Sequence, residues 1–69
     1  MEKFTERLNE LIEEKGIQKQ ELAKAIGASK ALVTIWTQGK SYPTLHYLVK
    51  LADYFNVCTD YLLGRKDFY

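Results

Sequence analysis

The sequence predicts an all-α fold, a compact domain of five short helices. Three observations carry that expectation. Apolar residues recur at helical spacing along the chain, and no segment alternates as a half-buried strand does. Gly16, Gly27, Gly39 and Gly64 each follow such a stretch, where a helix end commonly takes up left-handed backbone. Ser29 and Thr44 precede two of the stretches and can accept hydrogen bonds from the free N–H groups of a first turn.

The first helix presents Phe4, Leu8, Leu11 and Ile12 on one face, and Lys15-Gly16 ends it with a cation beside the negative end of the helix dipole. A short second helix carries Leu22, Ala23 and Ile26 and closes at Gly27. The third begins after Ser29, carries Leu32, Val33, Ile35 and Trp36, and stops at Gly39. Lys40-Ser41-Tyr42-Pro43 is a loop, because proline disfavours helical backbone in the residue before it. Thr44 caps a fourth helix with Leu45, Leu48, Leu51, Ala52 and Phe55 as its expected core face, broken at Asn56-Val57. Cys58 or Thr59 opens a fifth helix through Leu62-Leu63 to Gly64. The expected division is a domain over 1–64 and a tail over 65–69 without clear structure.

With 69 residues the chain is one small domain or a fragment of a longer protein. A chain of that size buries only about 60% of its unfolded surface, so each apolar stripe matters. The hydrophobic fraction of 46% is too high for a disordered chain. Cys58 is the sole cysteine, which excludes an internal disulfide and fits a reducing compartment. No apolar run approaches the roughly 18 residues of a membrane span, and no signal peptide is visible. The expectation is a cytoplasmic protein.

Net charge is only +1, but it is unevenly placed. Residues 1–15 and 51–69 carry more acid than base, whereas residues 16–50 carry Lys19, Lys24, Lys30, Lys40 and Lys50 against Glu21 alone. Clustered basic charge is the footprint of a phosphate-binding surface. Solvated lysines on helix faces would give the same count, so charge alone does not choose. The spacing around Gly27 adds to it. Two short helices joined by a tight glycine turn make a helix-turn-helix unit. Ala23 is small enough for a close crossing, and Val33 is placed to pack back on Leu22 and Ile26.

Together these stretches are specific: Lys15-Gly16-Ile17, Glu21-Leu22-Ala23, Ile26-Gly27, Ser29, Trp36, Gly39-Lys40, Pro43, Leu51 to Val57, and Asp60 to Gly64. Over roughly residues 5–64 the chain resembles the lambda-repressor-like (Cro/CI, Xre) helix-turn-helix family. The resemblance implies a five-helix domain that binds double-stranded operator DNA, usually as a homodimer on a palindromic site, in a phage or bacterial transcriptional repressor. It puts the helix of residues 29–37 in the major groove and the second helix across the backbone. The implied DNA-facing set is Gln18, Lys19, Gln20, Ser29, Lys30, Ala31, Thr34, Ile35, Lys40, Ser41 and Tyr42. Within it Lys30, Ala31, Thr34 and Ile35 match positions that face bases, while Lys40, Ser41 and Tyr42 match the phosphate-reaching loop. Lys30 could donate to guanine, and the methyls of Ala31 and Thr34 could meet a thymine methyl.

The chain departs from that family pattern in three places. Gln18 stands where a serine or threonine cap is usual. Ile12 and Thr37 are uncharged where the family often pairs a basic residue with glutamate, a change that packing can absorb because two charges no longer need desolvating. Ile35 stands where a long polar residue is common; it fits either a thymine-methyl reader or a weakened DNA reader. The apolar Ala31-Leu32-Ile35 set also motivates a second class of function, a protein-interaction module of antitoxin or antirepressor type. Leu63, Phe68 and Tyr69 are the candidate dimer surface, the alternative for that tail being a linker.

The other chemistry-bearing residues read as structural. Trp36 is expected in the core, His46 on the surface, and Cys58 at a helix start. Tyr47, Tyr54 and Tyr61 are expected to flank the core. The helix 1 carboxylates form a solvated face. No metal, cofactor, small-molecule ligand, membrane contact or catalysis is expected.

Overall fold

A computed structural model describes residues 2–69, and among them it contains five helices and no strand. These are α1 (Glu2–Lys15), α2 (Lys19–Ile26), α3 (Lys30–Thr37), α4 (Leu45–Phe55) and α5 (Thr59–Leu62). α3 packs on α2 and α1, α2 also rests on α4, and α5 closes the bundle between α1 and α4. No helix among the described residues is long and apolar enough to cross a membrane.

The apolar stripes meet in one core of Phe4, Leu8, Leu11, Leu22, Ala23, Ile26, Val33, Trp36, Leu48, Leu51, Ala52, Val57, Tyr61 and Leu62. Trp36 is only 2% exposed, which places it among the core anchors as its spacing predicts. Ser29 Oγ accepts from the Leu32 N–H at 3.1 Å, and Thr44 Oγ1 accepts from the Tyr47 N–H at 3.4 Å, so both expected caps are formed. Gln18 occupies the cap of α2, where its own N–H donates to the Glu21 carboxylate at a long 3.4 Å. Gly27 closes α2 at φ +76° with nothing within 4 Å of an added Cβ. Its glycine is therefore required by backbone conformation and not by space. Gly64 differs: a Cβ there would lie 2.5 Å from Lys3 Cβ, so α1 and the end of α5 approach too closely for a side chain.

One expectation needs correction. Leu45, assigned to the core face of α4, is 81% exposed. It is the first residue of the helix, and the buried stripe begins only at Leu48. Periodicity identifies a face but not how far the neighbouring helices extend along it. The tail over 65–69 forms no helix or strand and is held against α1 and α5. Arg7 is buried, its Nη1 donating to the Tyr61 carbonyl at 2.6 Å and to the Lys66 carbonyl. Its Nη2 donates to Asp67 Oδ1 at 3.1 Å, and the guanidinium lies 4.2 Å over the Tyr61 ring. The Tyr69 carbonyl accepts from the Cys58 N–H at 2.9 Å, and the Tyr69 ring meets Tyr61 edge-on at 4.9 Å. The Tyr69 hydroxyl donates to Glu14 at 3.0 Å, and that carboxylate holds the phenol above its ordinary pKa.

Among the described residues, α1 and α3 are joined without an ion pair. Asn9 Nδ2 donates to the Thr37 carbonyl at 3.0 Å, and the Thr37 hydroxyl donates to the Thr34 carbonyl at 2.9 Å. Thr37 is buried, and Ile12 packs on the margin of the core. Neutral hydrogen bonds and packing thus hold the junction where the family pattern often has opposite charges.

Candidate nucleic-acid interface

α3 is a half-exposed helix held from below. Val33, Trp36 and Thr37 are its buried residues. With successive residues about 100° apart, the opposite side of the helix is Ala31 and Ile35, flanked by Thr34. Lys30 and Ala31 are exposed; Thr34 and Ile35 are half-buried. The base-facing residues implied by the sequence therefore share one outward strip, and the core-facing ones do not intrude on it.

Two clefts border that strip, and their linings differ. On one side Gln18, Lys19, Gln20, Lys30 and Thr34 line a cleft whose remaining walls are Ile12 and Ile17. The start of α2 and the start of α3 each bring one lysine to it. Among the described residues the ion pairs are Arg7–Asp67 and Arg65–Asp60, so Lys19, Lys30 and Lys40 have no carboxylate within 4 Å. Unneutralised ammonium groups around a concave wall raise the local potential for an anion. Glu21 stands nearby at the α2 cap, its carboxylate on the Gln18 N–H, while Glu10, Glu13 and Glu14 line a separate cleft with Tyr61.

On the other side of the strip lies an apolar groove of Leu32, Ile35, Trp36, Ser41, Tyr42, Pro43, Thr44 and Tyr47. It joins the second half of α3 to the following loop. Lys40, Ser41 and Tyr42 are exposed in that loop. The Tyr47 hydroxyl donates to the Gly27 carbonyl at 3.4 Å, tying α4 to the α2–α3 turn. Tyr42 packs edge-on near Phe4, with ring centroids 6.2 Å apart, which orients the loop against α1.

The structure brings Gln18, Lys19, Gln20, Lys30 and Thr34 of the implied set together in one cleft. Ser29 is exposed and spends its hydroxyl on the cap. Of the candidate dimer residues, Leu63 is half-buried, Phe68 is 69% exposed, and Tyr69 lies on Tyr61 and Glu14. Sequence reasoning missed Pro43 and Tyr47 as walls of the groove and Ile12 and Ile17 as walls of the lysine cleft. It also missed the exposed apolar residues Leu45 and Val49 on α4. A half-buried apolar side chain beside a cation gives no periodic signal, so these were hidden among core residues. His46 is exposed and Cys58 is a half-buried free thiol at the α5 cap, as expected. The described residues hold no cluster of metal-ligating side chains.

A five-helix domain with a two-helix reading unit and a cationic margin defines a class of helix-turn-helix proteins. The chain belongs to the Cro/C1-type helix-turn-helix DNA-binding domain family, whose model matches residues 7–66. It is 30% identical over 64 residues to the HTH-type transcriptional activator BcrR of Enterococcus faecalis, of whose length it spans only 31%. Among solved structures it superposes on a LexA SOS-response transcriptional repressor from Eubacterium rectale with TM-score 0.87 and 33% identity, covering 96% of this chain and 70% of that one. It also superposes on the P22 c2 repressor in complex with a synthetic operator, with TM-score 0.86, covering 91% of this chain and 96% of that one. At 24% identity the latter likeness shows the fold alone.

Proposed function

We propose that this chain binds double-stranded DNA sequence-specifically as a homodimer on a palindromic operator, and that it represses transcription in the cytoplasm of a bacterium. The observation that carries the reading is the strip Lys30-Ala31-Thr34-Ile35, outward on α3 and bordered by Lys19, with neither lysine paired to a carboxylate among the described residues. α3 lies in the major groove, Lys30 donates to guanine O6 or N7, and the methyl groups of Ala31 and Thr34 meet thymine. Gln18, Lys19, Gln20 and Ser29 face the backbone at the starts of α2 and α3, and Lys40, Ser41 and Tyr42 reach phosphates from the loop. Family membership supports the DNA binding, and the 33% identical LexA repressor supports the repressor role, although the 30% identical BcrR is an activator.

The domain measures 27 × 22 × 21 Å, less than the roughly 34 Å of one duplex turn, so one copy covers one half-site and two copies suit a palindrome. We place the contact between copies at Phe68, with Leu63 and Tyr69 beside it, and treat 1–64 as the DNA-binding domain with 65–69 as its tail. Phe68→Asp is expected to convert a dimer to a monomer in sedimentation. If Leu45→Asp does so and Phe68→Asp does not, the contact lies on α4 instead.

Binding-site selection from random duplexes at low salt, followed by titration with salt, tests the reading. Affinity should fall steeply as salt rises, because phosphate contacts release counterions. The second reading, a protein-interaction module, draws on the exposed apolar side chains Tyr42, Leu45 and Val49. Failure to enrich any duplex above background favours it.

A further inference from the structure

We propose, resting on the DNA-reading assignment above, that Asn9 on α1 is a positioning residue for α3, its side-chain amide fixing how the end of that helix meets the duplex. The last turn of a helix leaves its carbonyl groups without partners inside the helix. In α3 these belong to Thr34, Ile35, Trp36 and Thr37. The Gln38 N–H donates to the Thr34 carbonyl at 3.0 Å, the Lys40 N–H to that of Ile35 at 3.2 Å, and the Gly39 N–H to that of Trp36 at 3.2 Å. Among the described residues no backbone N–H reaches the Thr37 carbonyl, and its donor is Asn9 Nδ2 at 3.0 Å. The end of α3 is thus completed from another helix. The same Nδ2 donates to the Thr5 carbonyl at 3.0 Å, so two carbonyls use both amide hydrogens and set the orientation of the group.

The tie reaches the base-facing strip in one step. The Thr37 hydroxyl donates to the Thr34 carbonyl at 2.9 Å, and the Lys40 N–H on Ile35 carries the tie into the loop. The start of α3 is held separately, by Ser29 Oγ on the Leu32 N–H and by the Tyr47 hydroxyl on the Gly27 carbonyl. Asn9 is itself exposed, so its side chain adds little to the core. A hydrogen bond to a base edge weakens once donor and acceptor leave a narrow range of distance and angle, whereas a flexible lysine follows a phosphate. Loosening the end of α3 therefore removes discrimination before general affinity. It does so at base pairs met by Thr34 and Ile35, and not at the one met by Lys30.

The test compares the intact chain with Asn9→Ala and with Asn9→Leu, which keeps the bulk and removes the donor. Loss of one hydrogen bond corresponds to about a five-fold change. Amide hydrogen exchange, measured without DNA, should quicken by about that factor at Gln38, Gly39 and Lys40 and stay unchanged at Leu32 and Val33. Both variants should bind the duplex selected by the unaltered chain about five-fold more weakly and bind random duplexes as before. A repeated selection should show relaxed preference at positions other than those relaxed by Lys30→Ala. Exchange that is unchanged, or that quickens equally at both ends of α3, overturns the tie and leaves DNA reading intact. Equal losses on selected and random duplexes, or relaxation only where Lys30→Ala relaxes, make Asn9 structural and overturn the positioning role. Wild-type behaviour of Asn9→Leu overturns it as well, since bulk and not the donor would then suffice. If the unaltered chain selects no duplex, the DNA reading falls and the positioning role with it, while the exchange result still decides the tie.

Discussion

On one flank of α3 lie Lys19 and Lys30 with Gln18, Gln20 and Thr34; on the other lie Leu32, Ile35, Tyr42, Pro43 and Tyr47. The first flank draws on the starts of two helices, where free backbone N–H groups add positive field to the side-chain cations. The second draws on the end of one helix and the loop after it, where the backbone adds little field and the side chains are apolar. The same helix thus offers charged and hydrogen-bonding side chains at its beginning and an apolar surface towards its end.

Trp36 is the residue on which the contrast depends, since it lies in the core and forms a wall of the apolar groove. Trp36→Ala should lower unfolding stability by about 3–5 kcal/mol, read by denaturant titration, and abolish binding to any duplex. A variant with near-normal stability would show that α3 is held by something other than this ring. Lys30→Ala should cost about 1–3 kcal/mol at its preferred sequence and relax preference at one or two base pairs. Unchanged preference in a repeated selection would move Lys30 from bases to backbone. Ser29→Ala removes the cap of α3 and should cost about 1 kcal/mol of stability by thermal melting, without altering base preference. Altered preference would mean that the hydroxyl also meets DNA. Lys40→Ala should weaken all sequences alike and make the slope of log affinity against log salt shallower by about 0.9. A sequence-dependent loss would contradict its assignment to phosphate.

The two flanks were unequally legible in the sequence. Lysines in a stretch that otherwise carries only Glu21 stand out from composition, and the Gly27 turn fixes where two of them fall. The groove joins Leu32 and Ile35 to Tyr42 and Tyr47 across a proline loop, and no periodic pattern carries a contact across such a bend. The helices themselves were legible because capping residues and glycines mark their ends, from Ser29 and Thr44 to Gly16, Gly27, Gly39 and Gly64. Leu45 was misread because stripe position does not reveal where the core stops. Arg7 was missed because a buried arginine depends on carbonyls supplied by Tyr61 and Lys66, far along the chain. Its burial also explains why residues 65–69 are ordered against α1 although their sequence has no helical pattern.

The central claim is that α3 reads duplex sequence from between a cationic and an apolar flank. Selection of binding sites from random duplexes by the intact chain, sequenced and repeated across a salt series, addresses it most directly. The account predicts an enriched palindrome with half-site centres roughly 34 Å apart, thymines at fixed positions, and affinity that collapses as salt rises. A pool that stays random at low salt, or an enriched site whose retention ignores salt, would contradict it.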